Sequence, residues 1–389
     1  MISIIVSFTT SFISSSFGVK NVKTGKMDIQ KFTSFTEPNH EKKITNKSQF
    51  ILAPEFDKSE GNININGYDH RTITMDNLKG KVVVVNFWTY SCINVLRTLP
   101  HLIDWNTKYA DKGLVIVGVH SPEFKFEKDI HNVKAAIQRY GINYPIIQDN
   151  NHKTWNVYGN NYWPRMYIID DNGYIRYDKI GEGGYNQTEK IIQSLLSERD
   201  SKVGLKNMDP NKTLSSSSDK ILPLTNSTTN KGFLSQSVDF SKIKTKELYF
   251  GYQSPSSSLG NPQGFHPGQN ITYAIPFNSS IKPNTIYLEG QWKNNPDNME
   301  LQSDSGRIVL TYSAKSVNLV AGGKGQGIVY EDNALLSNNS KGVDIVNDSK
   351  LILDHPRMYN LAMHDSYGIH SLMIDVKGKG FQAYTFTFG

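Results

Sequence analysis

The chain has 389 residues, 38% hydrophobic and 20% charged, a balance that excludes a disordered polymer and leaves room for two domains with sizeable cores. Its 42 basic and 36 acidic residues give a formal net charge of +6, but the lysines are scattered and no basic stripe with interleaved aromatics marks a nucleic-acid face. A single cysteine cannot form an internal disulfide, so the fold must rest on hydrophobic burial.

In chain order, residues 1–17 are apolar and serine-rich and lack a basic start, which reads as a weak secretory signal or anchor and is too polar for a membrane-spanning helix. With the lysine-rich stretch that follows, residues 1–49 form an N-terminal tail. Eight Asn-x-Ser/Thr sequons, at Asn46, Asn186, Asn211, Asn226, Asn270, Asn278, Asn338 and Asn347, add slightly to an extracytoplasmic reading. Order is expected from Phe50, with a short hairpin over residues 62–67.

Val82 to Phe87 is a β-branched run of the kind buried on both faces of a sheet. Cys92 follows, and Ile93, Leu96, Leu99, Leu102 and Ile103 then recur at helical spacing, with Pro100 expected to kink the helix. The sulfur therefore sits at a helix N-terminus, where unpaired N–H groups and the dipole favour an anion and draw a thiol toward thiolate. A second buried strand at residues 114–119 completes a parallel βαβ unit. Further expectations are a helix from Asp129 to Tyr140 stopped by Gly141, an extended segment at residues 142–147, and a short helix from Thr154 to Tyr158. A hairpin around Asp171-Asn172-Gly173 and a closing amphipathic helix over residues 187–197 complete this part. Together they make an α/β domain at 50–198, a mixed sheet flanked by helices.

Residues 199–246 turn to Ser, Thr, Asn and Lys and read as a linker. From 247 to 389 helical periodicity disappears, and short alternating runs separated by Gly, Asn and Pro turns read as an all-β sandwich of jelly-roll type. Gly322 to Gly327 has no helix after it, so a hairpin loop is expected there and no phosphate cradle. The ten histidines show no i, i+4 pair, and His364 and His370 are too far apart in the pattern to suggest a site, so neither metal nor cofactor is expected.

The segments Asn86-Phe87-Trp88-Thr89-Tyr90-Ser91-Cys92-Ile93-Asn94, Leu96-Arg97-Thr98-Leu99-Pro100, Gly118 to Phe124, Tyr162-Trp163-Pro164, Gly181-Glu182-Gly183 and Ala383 to Gly389 resemble the soluble C-terminal portion of DipZ-type proteins. That family joins a TlpA-like thioredoxin domain to a carbohydrate-binding-module-like β-sandwich. The resemblance implies a thioredoxin-like fold, Cys92 as nucleophile, Pro164 as a cis-proline facing it, and a substrate rim shaped by Trp88, Tyr90 and Trp163. It also implies exchange with protein or small-molecule disulfides and thiols, glycans at the sandwich, and a membrane electron donor of CcdA type. One departure bears on the chemistry: the family motif is Cys-x-x-Cys, and here Val95 stands where the resolving cysteine belongs. The first step of exchange is open to Cys92 and the second is not open to Val95, which limits the chain to monothiol exchange.

His120 and Glu123 follow the second strand at the same sheet end as Cys92, where either could tune the thiol or relay protons. Two other readings stand beside exchange. Thr89 lies three residues before Cys92, a spacing used to hold peroxide at a thiolate, which gives a thiol peroxidase. Alternatively the chain is a non-catalytic scaffold that binds through its sandwich, with Trp292, Tyr249, Tyr252, Tyr273 and Tyr287 stacking on sugar.

Overall fold

A computed structural model describes residues 50–57, 61–63, 73–203, 234, 236, 238–254, 257–276 and 281–389, all within one compact unit that runs from Thr45 to Gly389. The tail expected at 1–49, most of the short hairpin at 62–67 and the greater part of the linker lie outside the described residues. Among the described residues no helix is long and apolar enough to cross a membrane.

The first part is built on β1 (Asn62–Ile63), β2 (Val82–Trp88), α1 (Ile93–Tyr109), β3 (Leu114–His120), α2 (Ile130–Tyr140), β4 (Ile146–Gln148), α3 (Lys153–Val157), β5 (Arg165–Ile169), β6 (Ile175–Ile180) and α4 (Tyr185–Val203). The sheet order is β1-β4-β3-β2-β5-β6, with β2, β3 and β4 parallel and the others antiparallel. This is the thioredoxin-like mixed sheet. Alternation along β2 explains why it reads as continuously apolar: Val82, Val84 and Trp88 enter a core with α1, α2 and α4, while Val83, Val85 and Phe87 enter a second core on the other face. Pro100 lies inside α1, and Gly141 ends α2 at φ +64°, where a side chain would be strained.

The second part is all β: β7 (Leu248–Tyr249), β8 (Asn270–Tyr273), β9 (Ile286–Asn294), β10 (Met299–Leu301), β11 (Ser305–Gly323), β12 (Gln326–Glu331), β13 (Ala334–Leu335), β14 (Ile345–Val346), β15 (Lys350–Ile352), β16 (Arg357–Lys377) and β17 (Phe381–Phe388). The registers show how one sheet makes two layers. Ser305 pairs with Lys377 and Gly323 pairs with Phe381, so the two ends of β11 meet residues only four apart. A straight strand of this length would span roughly 60 Å, so β11 doubles over, and its register against β16 breaks between Ala314 and Ser316. The loop at Gly322 to Gly327 is not a hairpin, because β11 and β12 are separated in the sheet by β16.

The two parts share a hydrophobic cluster. Val320, Met358 and Tyr384 of the β part are buried with the α1-side core of the first part. Tyr384 meets Phe126 and Phe124 edge-on at centroid distances of 4.7 and 5.2 Å, and Asp344 accepts from Arg139 of α2 at 3.3 Å as well as from Arg357 at 2.7 Å.

Candidate functional site

Cys92 is the residue before α1, with extended backbone (φ −84°, ψ 119°), so its side chain leaves the sheet end as the helix begins. The Trp163–Pro164 peptide bond is cis, as expected, and Sγ lies 3.9 Å from the Trp163 carbonyl oxygen. Backbone N–H groups of Asn94 and Val95 act on the sulfur and favour its ionised form, which is the helix-start effect anticipated from the sequence. That effect does not win. Cys92 is 8% exposed, and burial, followed by the carboxylates of Glu247 and Glu123, pushes the thiol well above its ordinary range. The expected drift toward thiolate is thereby corrected: the resting sulfur is a protonated thiol.

The carboxylates responsible come from both parts of the chain. Glu123 follows β3 and is raised to about 8 by burial and by Glu247 and Glu127, while a hydrogen bond from Tyr249 opposes the shift. Glu247 immediately precedes β7 and is also raised by burial. The Tyr249 hydroxyl oxygen lies 2.5 Å from Glu123 Oε1 and 3.1 Å from Glu247 Oε2. Beneath them Glu127 is buried and accepts from the Ser91 hydroxyl at 2.6 Å and from the backbone N–H groups of Glu123 and Phe124 at 2.6 and 2.9 Å. Glu127 thus fixes both the residue before Cys92 and the loop that carries Glu123.

The remaining expected site residues divide. Trp163 is half-buried beside the sulfur, its indole N–H donating to the Ser121 carbonyl at 3.0 Å and its ring 4.4 Å from that of Trp155. Its neighbour Tyr162 is exposed. Trp88 and Tyr90, expected on the rim, are buried in the core instead, with Trp88 edge-on to His120 at 5.1 Å and Tyr90 stacked on His120 at 5.6 Å. The reason is register: β2 and β3 run side by side through Trp88 and His120, so these rings fill the layer under α1. His120 is fully buried, neither ring nitrogen is hydrogen-bonded to another of the described residues, and burial lowers it to about 3. It is held neutral, and of the two tuning candidates only Glu123 acts on the thiol. Val95 is buried in the first turn of α1.

In the β part, Trp292, Tyr273 and Tyr287 are buried, which removes them as sugar-stacking surfaces, and Tyr249 is committed to the two carboxylates. Glu247 and Tyr249 as partners of the thiol escaped sequence reasoning, since they lie in the β part, far from Cys92 in sequence. The only hint was the Glu-x-Tyr pattern at the start of the β-rich region.

Residues 52–178 match the AhpC/TSA family, and residues 245–389 match a thioredoxin-like C-terminal domain. Over 337 residues the chain is 32% identical to protein DipZ of Mycobacterium bovis, which covers 87% of this chain and 43% of that protein. The chain thus spans less than half the length of that relative. It is 29% identical over 127 residues to thiol-disulfide oxidoreductase YkuV of Bacillus subtilis, covering 32% of this chain and 85% of that one. Among solved structures, a thioredoxin-like protein in its oxidised form is 26% identical, with a TM-score of 0.35, over 39% of this chain and 98% of that one.

Proposed function

We propose, for a chain that belongs with the DipZ-type thioredoxin-like proteins, that it is a thiol-disulfide oxidoreductase in which Cys92 carries out monothiol exchange outside the cytoplasm. The observation that carries the reading is the placement of Cys92 Sγ at the start of α1, 3.9 Å from the carbonyl that precedes cis-Pro164. An extended substrate chain can pair with backbone at that position, and its disulfide then meets the sulfur.

In the first step the Cys92 thiol loses its proton, its sulfur bonds to one sulfur of the substrate disulfide, and the other substrate sulfur leaves as a thiolate. Val95 has no thiol with which to release the bound partner. The mixed disulfide is resolved when a second, external thiol bonds to the partner's sulfur and returns Cys92 to its reduced form. A membrane electron carrier of CcdA type fits as the source of that thiol. The extracytoplasmic placement draws on the apolar run at residues 1–17 and on the exposed sequon asparagines Asn186, Asn270, Asn338 and Asn347. Exchange is preferred to peroxidase chemistry because Thr89, whose hydroxyl would have to hold the peroxide at the sulfur, is fully buried.

Val95→Cys tests the limit to one thiol. The variant is expected to close a disulfide with Cys92 and so to release the reduced partner in a single turnover with no added thiol, whereas the natural chain holds the mixed disulfide until an external thiol is added. Equal turnover by both chains would show that the missing cysteine does not limit the reaction.

A further inference from the structure

A second chemical centre stands in the β part. Glu331 ends β12, and His364 and His370 lie on β16, six residues apart, about 20 Å along a straight strand. They nevertheless stack with ring centroids 4.1 Å apart and planes 6° from parallel. The fold explains this. At the corner where β11 doubles over, Ala314 pairs with Gly368 and Ser316 with Met363, so residues 364–367 of β16 face only Lys315 and bulge out. The bulge folds His364 back over His370. One nitrogen from each imidazole and one oxygen of Glu331 then all lie within 4.8 Å of one another.

We propose that Glu331, His364 and His370 bind a divalent transition cation of the zinc class. Two imidazoles and a carboxylate are the donor set such a cation prefers. In a tetrahedral zinc site the donor atoms stand roughly 3.3 Å apart and each imidazole points at the ion in its own ring plane, so binding must draw the three donors together and turn the two stacked rings out of parallel.

The supporting shell is already in place. Tyr312 donates to Glu331 Oε1 at 2.5 Å, which leaves Oε2 directed at His364 Nε2, 3.0 Å away. The cation would stand between those two atoms, which lie at ion-pair distance without the alignment of a hydrogen bond among the described residues. His370 Nδ1 is paired with Asp332 Oδ2 at 2.9 Å, the carboxylate–imidazole arrangement that orients metal-bound histidines, and this leaves Nε2 for the cation. A side chain at Gly368 would put its Cβ 2.7 Å from that nitrogen, so glycine keeps the approach clear. Glu331 is buried while both imidazoles are partly open, so a hydrated ion can enter and water can complete the coordination. Occupancy would clip β12 to both limbs of β16 across the corner of the sandwich.

The test is a Co2+ titration of the full, untagged chain carrying Cys92→Ser, so that no thiolate can contribute, after dialysis against a chelator. The expected result is one Co2+ per chain with the visible absorption of a four-coordinate ion, displaced by Zn2+, and a rise in thermal midpoint on binding. His364→Ala and His370→Gln should each abolish the absorption, and Glu331→Gln should weaken binding by about tenfold or more. Should His364→Ala fail to fold, His370→Gln still decides, because there the imidazole is replaced by a polar side chain of similar reach. No Co2+ uptake, or uptake undiminished in His370→Gln, would overturn the assignment.

Discussion

The hydroxyl of Tyr249 lies 2.5 Å from Oε1 of Glu123, a contact between the all-β part and the loop that follows β3 of the thioredoxin-like part. Through it the second part takes a place beside the thiol, since Glu247 and Glu123, both in contact with Tyr249, add to the burial that keeps Cys92 protonated, Glu123 as it ionises above about pH 8. The β part therefore contributes to the surroundings of the Cys92 thiol. Tyr249→Phe removes the hydroxyl that lies within hydrogen-bond distance of two buried carboxyl groups and should cost about 1–3 kcal/mol in denaturant unfolding. A loss close to zero would mean that the hydroxyl is replaceable by water.

The acid cluster also sets a pH dependence. Glu123 ionises near 4.5 when unfolded and near 8 when folded, so between these values the folded chain holds a proton that the unfolded chain has released. Its contribution to stability is complete below about pH 4.5 and is lost as pH rises through about 8. Glu123→Gln cannot ionise and keeps an acceptor for Tyr249. The variant's thermal midpoint, relative to the natural chain, should therefore be more favourable at about pH 9 than at about pH 5. The reverse order would place Glu123 outside the desolvated cluster.

Removing the same charges should act on the sulfur. In Glu123→Gln and in Glu247→Gln, the midpoint of the Cys92 alkylation rate against pH is expected to move down, and further in the double variant, because each carboxylate disfavours the thiolate. Burial of the sulfur remains in all three, so the shift reads charge alone. An unmoved midpoint would leave desolvation as the sole cause.

Tyr384 tests the shared core. Its ring closes the aromatic group formed with Phe124 and Phe126, on the loop that carries Glu123. Tyr384→Ala should cost about 3–5 kcal/mol and accelerate alkylation of Cys92 at fixed pH. Destabilisation without faster alkylation would mean that the two parts stay closed over the thiol even when that packing is lost.

Much of the first part was legible because its signals are local. The apolar run gave β2, the three- and four-residue spacing gave α1 from Ile93, Gly141 marked the end of α2, and Gly173 with φ +88° marked the β5–β6 turn. The cis bond at Pro164 followed from the resemblance, not from any pattern of hydrophobicity. Trp88, Tyr90 and His120 were misplaced because proximity to Cys92 in sequence says nothing about which layer a strand residue faces. The second part was legible only as β, since alternation reports one polar face but not that β11 and β16 each pass through both layers of a sandwich. The meeting of His364 with His370, and of Glu247 and Tyr249 with Glu123, depends on that bend and on the packing of the two parts. Neither leaves a periodic trace in the chain.

The most direct test of Cys92 as an exchanging thiol is intact mass after incubation of the folded chain with oxidised glutathione across a pH series, with hydrogen peroxide in a parallel arm. The expected result is a single glutathione adduct that forms slowly near neutral pH, faster as pH rises, and persists until an external thiol is added. A chain that gains glutathione only after unfolding, or that accumulates sulfenic acid faster than the adduct, would contradict it.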